Sequence, residues 1–498
     1  MTINPGILPN VTGSHTVSGE MAMDTVAELR KALTAGYGTD VSTLTGGGAL
    51  RIQSLDKTMM STIQENEDFK LFNELAKPNA GATVDEWTEQ SGVGGFLGGS
   101  TNTETGVIAQ AQGQYNRRVG MVKYLMTMRQ VSFVTTLQNS IADAEAVEQQ
   151  NGALQLLTDA EYLSFEGDST VVPTEFDGIY AQIASGVASG QVSPDNLLDA
   201  RAGAFSSVDL VNRAAAQIAG YGNFGRPTHL FCSFLTQADF DTGLDPAFRV
   251  PLNNLGNGGI DLGAPVVGIR TSHGNIKNMP DVFLRDSDMK QPFELAFATL
   301  AAANTFAPAS VTPGAPGNDA TSQFTAAQAG NYYYYVTGVN ASGQSVGVVS
   351  AQVAIAAGQS VTLTIDRSSS TPQETGYVIY RSRLNGGNSV AGSVAGQGSD
   401  FREVVRIPYT GGATTTWKDT NADIPGTTKA FILNMKPGMQ AITWRQLLPM
   451  LKFPLYPTNS AVIPWAQMMF GYLRIAKRKQ HAVIKNILPN AAVWRPFN

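Results

Sequence analysis

The spacing of apolar positions along the chain changes period several times, and each change marks a different kind of element. Steps of three, four or seven residues signal a helix with one buried stripe. They run through Thr135–Glu166, where Leu137, Ile141, Ala144, Val147, Leu154 and Leu157 share a face. At 1.5 Å per residue this predicts a rod of roughly 45 Å, with Gly152 as a place for a bend and Gly167 as the stop. Shorter helices are predicted at Met21–Leu33, at Asp56–Leu75 with a break near Asn66–Asp68, at Ser206–Ile218 and at Leu235–Phe240. Thr228–Cys232 reads as a buried strand, and Val266–Thr271 with Val282–Leu284 as a strand pair.

From Phe306 the pattern becomes a series of short extended runs: Asn331–Val339, Val346–Ile355, Ser360–Ile365, Gly376–Arg381, Glu403–Ile407 and Thr414–Trp417. Most are separated by turns of Gly, Asn, Ser and Pro, which predicts an antiparallel β-sandwich. Strand alternation would put about half of the quartet Tyr332–Tyr335 in its core and half outside. After Pro425 the earlier style returns. Lys429–Asn434 and Gln446–Leu451 precede Met468–Ile487, which reads as two strands around the turn Lys477-Arg478-Lys479, so the sandwich is inserted into a host domain.

Asn79–Val122 has neither period. It is a long Gly-rich excursion, and a loop of that length without its own core is usually an extended functional arm. Trp87 and Phe96 within it need a surface to bury against, and a neighbouring subunit must supply it if their own does not. The alternative is a hairpin folded back on its parent domain.

Composition narrows the class. At about 150 residues per domain, 498 residues suggest about three units. With 43% hydrophobic residues the chain has material for cores, which excludes global disorder. A net charge of -6 argues against a protein whose main task is gripping nucleic acid by its phosphates. The single cysteine, Cys232, forms no internal disulfide. The first residues lack the positive and apolar regions of a secretion signal, and no run of 18 apolar residues is present, so a soluble protein folded inside a cell is expected.

Charge is segregated. From Gln130 to Ala200 there are 11 acids, including Asp143, Glu145, Glu148, Asp159 and Glu161, and no Lys or Arg. From Ile424 onward there are ten bases, including Lys477, Arg478 and Lys479, and no acid. Facing the two would lower self-repulsion and guide association. Two separate solvated faces, or a basic face touching nucleic acid, are the other readings. Under the first, replacing Lys477, Arg478 and Lys479 together by Glu is expected to impair assembly.

Chemistry is sparse. The histidines, His15, His229, His273 and His481, lack metal-ligand spacing. His229 and Cys232 sit in an apolar run expected to be a buried strand rather than a nucleophile site. Asp239, Asp241 and Asp245 lack the Gly and terminal Glu of a calcium loop and read as an acidic helix-end surface. Gly92–Gly99 has no following Lys-Ser/Thr, so it is no phosphate loop. No catalytic, cofactor or metal residues are assigned, and the chain does not read as an enzyme.

The order of these pieces resembles the major capsid proteins of tailed bacteriophages with the Hong Kong 97-type fold, an α+β architecture: N-terminal arm, extended loop (Asn79–Val122), spine helix (Thr135–Glu166), mixed axial domain (about Asp177–Thr305) and C-terminal return strand (Phe470–Ile487). The stretch containing YYYYVTGVNASGQS and GYVIYRSRLNGG resembles immunoglobulin-like or fibronectin type III-like insertions. The resemblance implies arm and helices over 1–78, extended loop over 79–125, peripheral domain with spine over 126–176, axial domain over 177–305, an outward-projecting sandwich over 306–428, and a return over 429–498. It implies self-association as hexamers and pentamers into an icosahedral head around double-stranded DNA, built in the bacterial cytoplasm, with portal, scaffold or decoration proteins as further partners and no membrane. Trp87, Phe96, Arg117, Arg118, Lys477, Arg478 and Lys479 become expected inter-subunit contacts, and Asp143, Glu145, Glu148, Asp159 and Glu161 an acidic spine surface. Some relatives lock their shell by an isopeptide bond from a lysine on the extended loop, but here no Lys occurs between Lys77 and Lys123, so no such link through the loop tip is expected. A tail or baseplate protein, and a carbohydrate-binding or carbohydrate-active surface protein, are the alternatives.

Overall fold

The structure is a computed structural model that describes residues 65–137, 143–205, 208–220, 223–243, 268–284, 306–369, 373–389, 400–457 and 460–497. The helix expected at Met21–Leu33, the first part of Asp56–Leu75 and the position Asp245 lie outside the described residues.

The chain begins with a one-turn helix α1 (Lys70–Glu74), followed by strands β1 (Val84–Gly92), β2 (Gln114–Met121) and β3 (Lys123–Ser132). Helices α2 (Phe133–Leu137), α3 (Ala144–Glu166) and α4 (Ile179–Ala188) follow, then β4 (Leu197–Asp199), α5 (Val208–Ala219), β5 (His229–Cys232), α6 (Phe234–Gly243), β6 (Gly268–Thr271) and β7 (Gly274–Pro280). The insertion holds β8 (Ser310–Pro313), β9 (Gly317–Asn318), β10 (Gly330–Tyr332), β11 (Tyr334–Asn340), β12 (Gly343–Val349), β13 (Val353–Ile355), β14 (Gln359–Asp366), β15 (Gly376–Ser382), β16 (Phe401–Pro408) and β17 (Thr414–Asp419). The chain returns through β18 (Thr428–Leu433), β19 (Ile442–Pro454), β20 (Val462–Ile475) and β21 (Ala482–Ile487).

Two sheets build the host. One is mixed and six-stranded, in the order β4-β21-β18-β5-β7-β6, and the other is antiparallel, in the order β19-β20-β3. β18 contributes Ala430, Phe431, Ile432 and Leu433, all fully buried. An unbroken apolar run of this kind is what a strand covered on both faces requires. Between the sheets Trp444 meets Phe72 and Phe176 edge-on, each with ring centres 5.2 Å apart, and Phe165 packs on Phe431 at 5.1 Å. Edge-to-face contacts at this spacing suit the aromatic quadrupole.

The long helix is 23 residues from Ala144 to Glu166, about 35 Å at 1.5 Å per residue, preceded by the separate turn α2. Its buried set differs from the expected stripe: Leu154, Leu156, Ala160 and Phe165 are buried, while Leu137 is exposed. Gly152 serves close approach, since a Cβ there would stand 1.9 Å from Gln467 Oε1 on β20. The expected pairing of Val266–Thr271 with Val282–Leu284 is replaced by a β6–β7 hairpin, with Thr271 opposite Gly274. Asp239 is not on an acidic surface; it is buried and accepts the Asn490 N–H at 2.6 Å.

The insertion is two antiparallel layers: β12-β11-β15-β16, and β17-β14-β8 with β9 alongside β14. Tyr332, Tyr334, Leu363, Ile365, Tyr377 and Ile379 fill the space between them. The first layer is buried on its other face as well, where Tyr335, Val339, Val378, Tyr380 and Phe401 cover Val171 and Val172 of the host. Tyr332, Tyr334 and Tyr335 are therefore all buried, contrary to the half-and-half expectation, because the outer face of β11 is packed rather than solvated. In the core Arg381 and Asp419 form a buried ion pair at 2.6 Å; Tyr334 Oη donates to the same carboxylate at 2.8 Å, and the second Arg381 nitrogen donates to Asn421 at 2.6 Å.

Candidate functional site

The expected excursion Asn79–Val122 is a hairpin whose two ends are paired from Val84 opposite Met121 to Gln90 opposite Tyr115. Its root and its tip differ in character. Alternation along β1 points Asp85, Trp87 and Glu89 to one side, and that side meets the returning C-terminal strands. Asp85 accepts from Arg445 Nε at 3.0 Å, Arg474 Nη1 at 3.5 Å and Tyr472 Oη at 2.6 Å. Burial acts to raise the Asp85 carboxyl pKa, but the Tyr472 hydrogen bond and the two guanidiniums outweigh it and hold the group below its usual range. Glu89 lies 3.5 Å from Arg118 Nε and 3.4 Å from Arg478 Nη2. Here burial prevails, and the carboxyl is raised despite the Arg118 charge. Trp87 packs on the host core with the Arg474 guanidinium 5.7 Å over its ring. Gly120 makes this docking fit: a Cβ there would lie 2.3 Å from the Tyr472 ring.

The tip, residues 93–113, has no such cover. Phe96 is 79% exposed, and Val93, Leu97, Val107 and Ile108 are exposed to a greater extent. Of the expected contact residues, Trp87, Arg118 and Arg478 thus converge on one place at the root, inside their own chain. Arg478 is only 5% exposed and also donates to Gln191 at 2.5 Å. A triple Glu substitution of the 477–479 turn would therefore disrupt the subunit's own packing; Lys477, which is exposed, and Lys479, half-buried, are its surface members. Arg117 projects from the opposite side of β2, exposed and paired with Glu86.

On the long helix the acidic residues have different fates. Glu145 pairs with Lys452 at 2.5 Å and Glu148 with Arg129 at 3.2 Å, while Asp159 is exposed, as is Asp143, which precedes the helix. Glu161 is fully buried and is no part of a surface. Its two carboxylate oxygens accept the backbone N–H groups of Leu71 and Phe72, each at 2.7 Å, at the start of α1. Burial, followed by the nearby Asp281, holds its carboxyl well above the normal range. Opposite-sign segments do meet within one chain, through Lys452–Glu145 and through Lys429–Glu166 at 2.6 Å. The three C-terminal arginines at the hairpin root, Arg445, Arg474 and Arg478, instead pair with acids of β1, outside the acidic segment. Asp85, Glu89, Tyr472, Arg445 and Arg474 were missed from sequence; the Asp-x-Trp-x-Glu alternation of β1 was the available signal.

Elsewhere, burial pushes the Cys232 thiol up to about 12 and His481 down to about 4, so both stay neutral in the ordinary pH range. Among the described residues no group of three or more His, Cys, Asp or Glu is placed to hold a metal, and no helix is long and apolar enough to cross a membrane.

The described elements run hairpin, long helix, mixed sheet and return strands, the order that the Hong Kong 97-type resemblance implied. The relatives found by sequence agree. The chain is 25% identical over 478 residues to a putative major capsid protein of Enterococcus phage phiEF24C, covering 92% of this chain and 94% of the relative. It is 25% identical over 482 residues to the major capsid protein of Staphylococcus phage K, with the same coverage. Among solved structures it is similar to the capsid of a native GTA particle (TM-score 0.46, 9% identity, 90% of this chain and 99% of that one) and to a chain of Microbacterium phage Oxtober96 (TM-score 0.43, 8% identity, 90% and 99%). No protein-family model matches. The chain is a major capsid protein of the phage type.

Proposed function

We propose that the subunit assembles with copies of itself, as hexamers and pentamers, into an icosahedral head enclosing double-stranded DNA, and that the hairpin tip is the piece each copy lends to its neighbour. The observation that carries this is the contrast along one hairpin: a root tied to its own body through Asp85 and Glu89, and a tip whose Phe96, Leu97, Val107 and Ile108 stand in solvent. Exposed apolar side chains in a cluster mark an interaction surface.

A receiving face is present on the same subunit. Odd positions of β3 turn to the long helix, as Thr127 and Arg129 do in reaching Gln155 at 3.1 and 2.7 Å. Even positions Tyr124, Met126 and Met128 face outward, in register with Phe470, Met468 and Ala466 of β20. Leu451 and Phe453 of β19 extend the same apolar face. A thioether-rich surface adapts its shape to a partner at small cost. The domain boundaries expected from sequence, with an outward-projecting sandwich packed on Val171 and Val172 of the host, are part of this proposal. Assembly in the bacterial cytoplasm and contacts with portal, scaffold or decoration proteins belong to the same reading.

The test is a tip variant, Phe96→Ser with Leu97→Ser and Ile108→Ser, examined by electron microscopy and sedimentation. Subunits that melt as the wild type does but yield no closed particles are expected; a normal particle yield refutes the role of the tip.

A further inference from the structure

Beneath the hairpin root lies an open cleft of about 220 Å³ between β1–β2 and α4. Its walls carry the cations of Arg118, Lys123 and Arg478 against one carboxylate, Asp177. Most of the polar groups there are already engaged. Asp177 accepts the Ser169 N–H at 2.8 Å, Lys123 Nζ donates to the Pro173 carbonyl, and Arg478 is shared between Gln191 and Glu89. Two donors are left. Among the described residues Arg118 Nη2 and the Trp87 indole Nε1–H are both buried without an acceptor, while Arg118 Nε has the Glu89 carboxylate 3.5 Å away as an ionic partner but makes no hydrogen bond. The two residues stand directly opposite each other in the β1–β2 ladder.

Buried donors are normally satisfied, and an unsatisfied pair at a cleft with excess positive charge lacks an acceptor that carries negative charge. We propose that this cleft binds a small oxyanion of the phosphate class, held by Arg118 Nη2 and Trp87 Nε1–H, with Lys123 and Arg478 supplying the surrounding field. Planar guanidinium and indole N–H donors suit an oxygen-rich anion, and neither can act as an acceptor for a cation. Because Trp87 and Arg118 belong to the hairpin while Lys123 and Arg478 belong to the body, a bound anion would tie the root down more firmly. Occupancy would thereby set the angle from which the tip leaves the subunit.

The test uses full-length unassembled subunits, titrated with inorganic phosphate at constant ionic strength by thermal melting and by calorimetry. A saturable rise in melting temperature with a matching binding heat is expected. Trp87→Phe, which keeps an aromatic side chain and loses the N–H, should weaken apparent affinity about tenfold or more, and Arg118→Met should abolish it. Acetate in place of phosphate distinguishes the sources: a response to both extends the site to carboxylates, such as one from a neighbouring copy, and a response to phosphate alone confines it to phosphate. Absence of saturable heat in the wild type overturns the proposal, and so does an unchanged affinity in Trp87→Phe. If Arg118→Met does not fold, those two measurements decide without it.

Discussion

Replacing Asp419 by Asn removes one charge from the core of the insertion and leaves the shape of the side chain almost unchanged. Arg381 is 0% exposed and Asp419 1%, so water does not replace the lost partner. Burial alone would discourage a charged guanidinium, yet the Asp419 carboxylate keeps it protonated. Breaking a buried pair from one side costs about 3–5 kcal/mol, because the remaining charge stays uncompensated in a low dielectric. The Asn421 amide oxygen still accepts from the second Arg381 nitrogen, but it carries no charge to offset the guanidinium. At about 1.4 kcal/mol per tenfold change, amide exchange in β11 and β15 should accelerate by roughly two to nearly four orders of magnitude in the full chain, read by mass spectrometry. Peptides from the six-stranded host sheet serve as the internal control and should be unaffected. The double variant Arg381→Met with Asp419→Asn leaves no buried charge and should lose less than the sum of the single changes. An acceleration below about fivefold in Asp419→Asn, about 1 kcal/mol on the same scale, would show that the pair is not the electrostatic keystone described here.

Two further outcomes follow from buried groups in the host. Glu161 and Asp281 face each other with raised carboxyl pKa values, with Lys70, Lys77 and Asp68 as the other charges around them, so folding takes up a proton. That contribution is full below the unfolded carboxyl range near 4 and is lost as pH rises; Asp281→Asn should raise melting temperature at pH 8 and flatten the profile above pH 5, whereas a curve parallel to wild type contradicts the pairing. Gly120→Ala forces the Tyr472 ring away from a Cβ that would sit 2.3 Å from it, breaking the 2.6 Å bond to Asp85. A loss of about 1–3 kcal/mol is expected from such overpacking, measured by chemical denaturation beside Tyr472→Phe, which loses the bond alone; wild-type stability in Gly120→Ala defeats this account of the hairpin root.

Period and punctuation alone located the long helix, the six central runs of the sandwich and the two return strands around Lys477–Lys479, because local geometry dictates where apolar side chains must recur. The hairpin was legible as a Gly-rich anomaly with stranded aromatics and as one of two readings, but not in its register, since the pairing joins residues 84 and 121. What the sequence could not reveal was which faces become covered. Tyr335 reads as an outward position until Val171 and Val172, more than 160 residues earlier, close over it. Glu161 reads as one more acid on a solvated helix until the first turn of α1 brings two backbone N–H groups to it. Arg478 reads as part of a basic turn until Glu89 and Gln191 meet it. Side-chain periodicity is a property of one segment, whereas burial and ion pairing belong to two, and the second segment is chosen only when the chain closes on itself.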